Sequence, residues 1–530
     1  MKLLNISTPL SLISLFSTTE QKPLQKRTNP LEDGAFKALA NDQINRWHVP
    51  GIAISIVDGN DTWAQGYGIS QFPSTPVTPE TLFFGGSTTK AFTAAALARL
   101  IASGNHTGLS WKTPVGELIR DDFVLEDVVR TGLVTVEDVL SHRTGMPRHD
   151  ISYGGSDPKT SKSYTPRDLV RNLRYLPLTA GLRERFQYCN MMYVVASYVV
   201  ETLSGVWLGD FLKREIWGKL GMNATYFSNE DALAAPEPLA KGYVYTNSTY
   251  VEVPYMDLTS VSGAGSIISN VLDYSKWVRS LLTLTGPLSP SSIRELLTPR
   301  TIVLEKEPWL KGPKAYALGW INGNYRGYEY FEHSGGMEAF GAQVIFFPDL
   351  NYGITAFGNT GVTSNYAELS LIWRLIDDKL NVPASERFDW DEFNTAQLKY
   401  IEQIYDNAQS IYYPNIPSPP LPLSRPLSNY TGTYFHPAYH NITLTLNNTS
   451  SVEQLYALRE ATWVVYFTLK HISGDYFIAY VESTKSPGLI FRQAVPAEFK
   501  ISADGVVDRF GIAAEPEMGI DGRIWFDRIA

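Results

Sequence analysis

The chain is poor in cysteine. Cys189 is its one thiol in 530 residues, so no disulfide can form within it and no cysteine-built zinc or iron–sulfur centre is available. Positive charge is also scarce. Lys plus Arg number 45 against 54 for Asp plus Glu, a formal charge of −9, which lacks the basic footprint that phosphate backbones require and removes nucleic acid as an expected partner. Beyond the N-terminus no apolar run approaches the ~20 residues that span a bilayer, so no membrane span is expected. What remains is a globular composition, 44% hydrophobic and 12% aromatic. At roughly 100 to 200 residues per domain, the length suggests two or three units.

The first 27 residues are expected to be a leader. Met1-Lys2 followed by Leu3 to Phe16 has the order of a short signal peptide, although Asn5, Ser7, Thr8, Ser11 and Ser14 dilute its apolar centre. Lys26-Arg27 fits a dibasic processing site or a solvated charge pair. Asn-x-Ser/Thr sequons stand at Asn60, Asn105, Asn223, Asn247, Asn429, Asn441, Asn447 and Asn448, mostly in turn-like stretches, and mark candidate glycosylation sites. A secreted protein is therefore expected. The missing disulfides favour the alternative, a cytoplasmic location.

Hydrophobic spacing organises the rest. Residues 31–47 read as a helix, and 51–57 and 63–67 as a hairpin around Asp58-Gly-Asn-Asp61. Ser87 to Ser103 is an Ala-rich apolar stretch closed by Gly104, which predicts a buried helix beginning at Ser87. Helical patterns follow at 134–141, 166–174, 190–204, 208–219 and 271–283, with strands at 315–323, 328–333, 341–347 and 352–357. Helices bracketed by strands imply one α/β domain over 28–385 whose two ends share a sheet. Helices near 366–380 and 391–409 precede Tyr413 to Pro426, whose prolines predict an extended linker; 386–426 is the expected connection. Short aromatic and β-branched runs over 427–530 predict a separate all-β module, a small barrel.

Ser87-Thr88-Thr89-Lys90 opens the Ala-rich helix. Residues three apart share a helical face, so Ser87 Oγ and Lys90 Nζ can converge. A serine hydroxyl becomes a nucleophile when a base takes its proton, and burial can lower a lysine pKa enough for that work. Taken alone, Ser87 reads more readily as a helix cap. A second match, Ser156-Asp-Pro-Lys159, lies in a Gly- and Pro-marked loop and is set aside. Tyr188-Cys189-Asn190 then places a phenol and an amide on one side of an extended turn. A phenol close to an ammonium can become a phenolate near neutral pH. Glu332-His333-Ser334-Gly335-Gly336 ends a strand where glycines let a substrate approach backbone N–H groups.

These elements, in this order, resemble the serine β-lactamase and penicillin-binding-protein superfamily, particularly its class C β-lactamase, D-aminopeptidase and esterase branch. The resemblance covers roughly residues 32 to 380. Val139–Pro147, Leu220–Thr225, Ser262–Ser266 and Gly353–Asn359 look like the family as well. It implies an antiparallel sheet flanked by helices plus an all-helical region, the β-lactamase/transpeptidase-like fold, here followed by a barrel. It also implies Ser87 as the acylated nucleophile, with Lys90 and Tyr188 sharing proton transfer, and Asn190, His333, Ser334, Gly335 and Gly336 at the substrate. The backbone N–H groups of Ser87 and Gly336 would form the oxyanion hole. The family branch implies a serine hydrolase of esters or amides and peptides, with a small-molecule or short-peptide acyl substrate and no cofactor or metal. His333 stands where most members carry lysine, so efficient β-lactam hydrolysis is not expected.

Rivals are weaker. Gly85-Gly-Ser-Thr-Thr89 lacks the last glycine of a Gly-x-Ser-x-Gly elbow. The His142, Arg143, Arg148, His149 and Asp150 stretch reads as a structural charged loop rather than a metal site, and Cys189 as a buried packing residue. A non-catalytic scaffold has no chemical need for Ser87, Lys90, Tyr188 and Asn190 together. An acyltransferase differs from a hydrolase only in the acceptor that resolves the acyl-enzyme.

Overall fold

The computed structural model describes residues 28–155, 163–304, 306–447, 453–485 and 491–529. The expected leader, the Ser156–Lys159 match and Asn448 lie outside them.

The first α-helix, α1 (Gly34–Arg46), starts where Asp33 accepts hydrogen bonds from the N–H groups of Ala35 and Phe36. Strands β1 (Gly51–Asp58), β2 (Asp61–Gln71) and β3 (Thr75–Pro76) follow. The helical middle of the chain contributes α2 (Thr89–Ser103), α3 (Val136–Leu140), α4 (Asn190–Ser204) and α5 (Val271–Thr283). The chain then returns to the sheet through β4 (Thr301–Val303), β5 (Lys314–Tyr316), β6 (Ile321–Tyr325), β7 (Tyr328–Gly336), β8 (Gly341–Phe347) and β9 (Tyr352–Gly358). Sheet order is β3-β2-β1-β9-β8-β7-β6-β5-β4. Its two ends therefore meet where β1 pairs with β9, Ile54 opposite Ala356. The expected strand over 315–323 is broken into β5 and β6, because Gly319 adopts φ +86 and packs against the backbone of Lys90 and Ala91.

Alternation decides the layers. Ile52, Ile54 and Ile56 join Phe36 and Ala40 of α1 and Leu371 and Ile372 of α6 (Thr363–Lys379) on one face. Ala53 and Val57 point the other way, toward Trp277 and Val278 of α5 and toward α2. Helix α2 is the centre of the molecule, with Phe92, Ala94, Ala95 and Ala96 fully buried. It ends at Gly104, φ 67, a left-handed cap that suits glycine.

Helix α7 (Trp390–Asp406) bridges to the second unit. Its Trp390 packs against Trp373 of α6, while Tyr405 near its end packs on Tyr480 of the barrel. No helix or strand forms over 413–426. Strands β10 (Gly432–His436), β11 (His440–Asn447), β12 (Gln454–Arg459), β13 (Val465–Ser473), β14 (Tyr476–Ser483), β15 (Gln493–Ile501), β16 (Val507–Ile512) and β17 (Ile524–Arg528) close into an eight-stranded barrel. Closure leaves it no free edge. Its interior is aromatic: Phe499 contacts Tyr430, Tyr434, Phe477 and Phe510. Among the described residues no single helix is long and apolar enough to cross a membrane.

Candidate active site

Helix α2 begins two residues later than expected. Gly86–Thr88 forms a 3₁₀ turn and the α-helix starts at Thr89. Ser87 is consequently not the helix cap; Thr88 occupies that position, and its hydroxyl bonds the Gly85 carbonyl and the Tyr274 hydroxyl instead. The turn sits hard against β7. A Cβ on Gly335 would lie 2.0 Å from the Gly85 carbonyl oxygen, and one on Gly86, at φ +51, 2.9 Å from Gly336 N. Glycine at these positions is what lets the Ser87 turn meet the end of the strand.

Lys90, 0% exposed, points back from the first turn of α2. Its Nζ lies 2.9 Å from Ser87 Oγ, 2.7 Å from Asn190 Oδ1 and 2.9 Å from the Ala264 carbonyl. The Ser262–Ser266 stretch therefore supplies a third arm of the site. Gly263 permits it, since a Cβ there would stand 2.6 Å from the Tyr193 carbonyl of α4. Burial foremost, and the nearby Arg148 guanidinium next, hold Lys90 well below the ordinary lysine range. A neutral amine has two hydrogens and one lone pair. Asn190 Oδ1 and the Ala264 carbonyl can only accept, so they take the two hydrogens and the lone pair faces the Ser87 hydroxyl.

Asn190 is the first residue of α4, and its amide is fixed from behind: Nδ2 donates to Asp150 Oδ1 at 3.2 Å. The Tyr188 hydroxyl faces Ser87 closely enough to feel its hydroxyl. The Lys90 ammonium position lies 4.8 Å from the centre of its ring, and the Arg148 guanidinium 5.0 Å. Burial nevertheless pushes the phenol well above its usual range. Loss of hydration outweighs the neighbouring Arg148 cation and favours the protonated phenol over the phenolate.

His333, expected at the substrate, is buried beneath the surface of the strand with both ring nitrogens engaged by protein groups. It is 3% exposed. Nδ1 meets the Ser334 carbonyl at 2.7 Å, so it carries the hydrogen, and Nε2 meets the Tyr316 hydroxyl at 3.0 Å. Burial, then the charge of Lys90, pushes its pKa down to about 3. Position 333 thus anchors the strand and offers no charge. Ser334 and Gly336 are exposed at the end of β7, with Gly335 buried between them. Cys189 is buried, its backbone N–H donating to His142 Nδ1 at 3.1 Å, and burial pushes its thiol up to about 12.

A narrow cleft of about 40 Å³ adjoins Ser87, Asn190 and Gly336. Its walls are apolar: Met256, Leu258, Val261, Ala264 and Met337, together with Trp463 from the barrel loop between β12 and β13. The barrel therefore contributes to the site. Of the expected sequons within the described residues, Asn60, Asn105, Asn223, Asn247, Asn429 and Asn441 are exposed and Asn447 is half-buried.

Comparison with known proteins shows the family. The β-lactamase family profile matches residues 36–375. The chain belongs to the β-lactamase family. A second profile, a domain of unknown function, covers 417–528, the barrel. This β-lactamase-family chain is 40% identical over 501 residues to an unguisins hydrolase of Aspergillus campestris, covering 94% of this chain and 92% of the relative. It is 41% identical over 523 residues to an unguisins hydrolase of Aspergillus violaceofuscus, covering 94% and 90%. Among solved structures, the octameric penicillin-binding protein homologue from Pyrococcus abyssi superposes with a TM-score of 0.58 at 21% identity, over 93% of this chain and 99% of that one. The D-amino acid amidase from Ochrobactrum anthropi SV3 gives 0.54 at 20% identity, over 66% and 96%. The fold is the β-lactamase/transpeptidase-like one followed by a closed barrel, and this β-lactamase-family protein is a hydrolytic enzyme.

Arg148, Asp150, Tyr316, Ala264 and Trp463 were not singled out as functional from the sequence. Arg148 and Asp150 stood in a charged loop whose signal was density of charge beside a family-like stretch. Trp463 carried no signal, because only the tertiary placement of the barrel brings it to Ser87.

Proposed function

We propose that the enzyme cleaves an amide or ester of a short peptide-like molecule through an acyl-enzyme on Ser87. The observation that carries this is the arrangement around Lys90 Nζ, whose two obligate acceptors leave its lone pair for the Ser87 hydroxyl. Ser87 Oγ bonds to the substrate carbonyl carbon as its proton passes to Lys90, and the backbone N–H groups of Ser87 and Gly336 receive the oxyanion. Tyr188 donates its proton to the departing nitrogen or oxygen as the scissile bond breaks, and Lys90 returns a proton to it. Water then adds to the acyl carbon, losing a proton to the same relay, and frees Ser87 with a carboxylic acid product.

The apolar cleft favours an apolar side chain beside the scissile carbonyl. The relatives named unguisins hydrolase, similar along nearly the whole chain, support a substrate of that kind and support water as the acceptor over acyl transfer. The uncharged, inward-turned His333 supports poor β-lactam hydrolysis. Secretion belongs to the same proposal, supported by exposed sequons such as Asn60, Asn105 and Asn223. A fluorophosphonate probe tests the nucleophile: it should label wild type on the peptide containing Ser87 and leave Ser87→Ala unlabelled. Labelling of both proteins at another serine would overturn the proposal.

A further inference from the structure

The turn that holds the site in place is itself held by the barrel. His149 lies in it with φ 48, a left-handed conformation that a non-glycine residue adopts only when its surroundings enforce it. The enforcement comes from two barrel residues and one carbonyl. The His149 backbone N–H donates to Glu515 Oε2 at 2.9 Å, its Nδ1 lies 2.6 Å from the Tyr439 hydroxyl, and its Nε2 lies 2.9 Å from the Pro177 carbonyl. Tyr439 in turn reaches Glu515 Oε1 at 3.2 Å. Glu515 is 2% exposed, so its carboxylate has exchanged water for these groups, and removing any one of them leaves the others unsatisfied.

The residues on either side of His149 face the opposite direction, into the active site. Arg148 lies over the Tyr188 ring and bonds Asp150 Oδ2 through Nε at 2.7 Å. Asp150 Oδ1 accepts from Asn190 Nδ2, which forces the Asn190 amide to present its oxygen to Lys90. The carbonyls of Tyr153 and Gly154, just beyond, receive Arg459 and Thr462 of the barrel at 3.4 and 3.2 Å.

We propose that Glu515, acting through Tyr439 and His149, is a positioning residue of the catalytic centre: the barrel fixes the Arg148–His149–Asp150 turn so that Tyr188 and Asn190 stand where proton transfer at Ser87 requires them. The inference rests on Ser87 being the nucleophile. Residues 148–150 do not themselves line the cleft, although Asn190 and Tyr153, both hydrogen-bonded to Asp150 Oδ1, do; the larger effect of displacing the turn falls on proton transfer at Ser87.

The test uses the full chain with Glu515→Ala, Glu515→Gln and Tyr439→Phe, each assayed for steady-state kinetics and for the rate of fluorophosphonate labelling at Ser87. Glu515→Ala should lower kcat about thirtyfold with KM within about twofold, and slow labelling in parallel. Glu515→Gln keeps an acceptor for the His149 N–H and should recover kcat to within about threefold of wild type. Tyr439→Phe, which keeps the packing, should lower kcat about fivefold and remains informative if Glu515→Ala does not fold. Wild-type kcat and labelling rate in Tyr439→Phe, or in a folded Glu515→Ala whose only change is a lower melting temperature, would overturn the inference. Wild type that turns over substrate but does not label at Ser87 would instead overturn the functional reading on which it rests.

Discussion

Lys90 Nζ stands 2.9 Å from Ser87 Oγ, with every other direction around the amine closed by groups that can only accept. The relationship needs both the i, i+3 spacing and the 3₁₀ turn before the helix, which swings the Ser87 hydroxyl off the capping position.

Lys90→Arg keeps a basic side chain of similar length but introduces a permanent cation that cannot surrender its proton. It should lose at least about a thousandfold in kcat/KM while still binding substrate. In wild type, Lys90 is held well below its usual range, so kcat/KM should rise with pH as the amine loses its proton and level off at a pH far below that of an ordinary lysine. A rate profile that climbs only in the ordinary lysine range would show that burial has not depressed this group.

Gly335→Ala should displace the Ser87 turn. The new Cβ would start 2.0 Å from the Gly85 carbonyl, which is backbone and must move. A loss of about a hundredfold in kcat is expected. Gly34→Ala, whose Cβ meets nothing within 4 Å, should leave kcat unaltered. Equal activity in both variants would contradict the close-approach argument.

His333 is neutral when folded because its pKa is pushed down to about 3, against 6.5 for the free side chain. Between these values the unfolded chain binds a proton that the folded one does not. Stability should therefore be full above the unfolded value and fall as pH drops through the window toward 3, by about 1.4 kcal/mol per unit for this group. His142 is depressed by burial in the same direction and adds to the slope. Urea unfolding of wild type and His333→Gln at pH 7, 5 and 4 should give a shallower decline for the variant; parallel declines would show that His333 is not buried neutral.

Trp463→Ala removes the barrel's contribution to the cleft wall. Esters with a bulky apolar acyl group should lose about tenfold in kcat/KM, and acetyl esters distinctly less. A uniform loss across acyl sizes would place Trp463 outside the acyl subsite.

The fold was legible in the sequence wherever periodicity was strong. The alternation of Ile52, Ile54 and Ile56 fixed a two-faced strand, and the apolar run after Ser87 fixed the central helix. The break between β5 and β6 was not legible, since Gly319 bends there to meet α2, a contact between residues more than two hundred positions apart. Within the site, Ser87, Lys90, Tyr188 and Asn190 announced themselves by residue type and spacing. The inward turn of His333 did not, because its partner Tyr316 comes from another strand. Nor did the preference of Tyr188 for its protonated form, which depends on how completely the fold excludes water from a phenol beside the Arg148 guanidinium.

The most direct test is intact-protein mass spectrometry of enzyme quenched during turnover of an activated ester, followed by peptide mapping. An activated leaving group departs without the proton that Tyr188 donates, so acylation is fast and the intermediate accumulates ahead of its reaction with water. The expected result is a mass increase equal to one acyl group, carried on the peptide containing Ser87 and absent from Ser87→Ala. Substrate turnover by Ser87→Ala at the wild-type rate, or an acyl group on any other residue, would contradict the account.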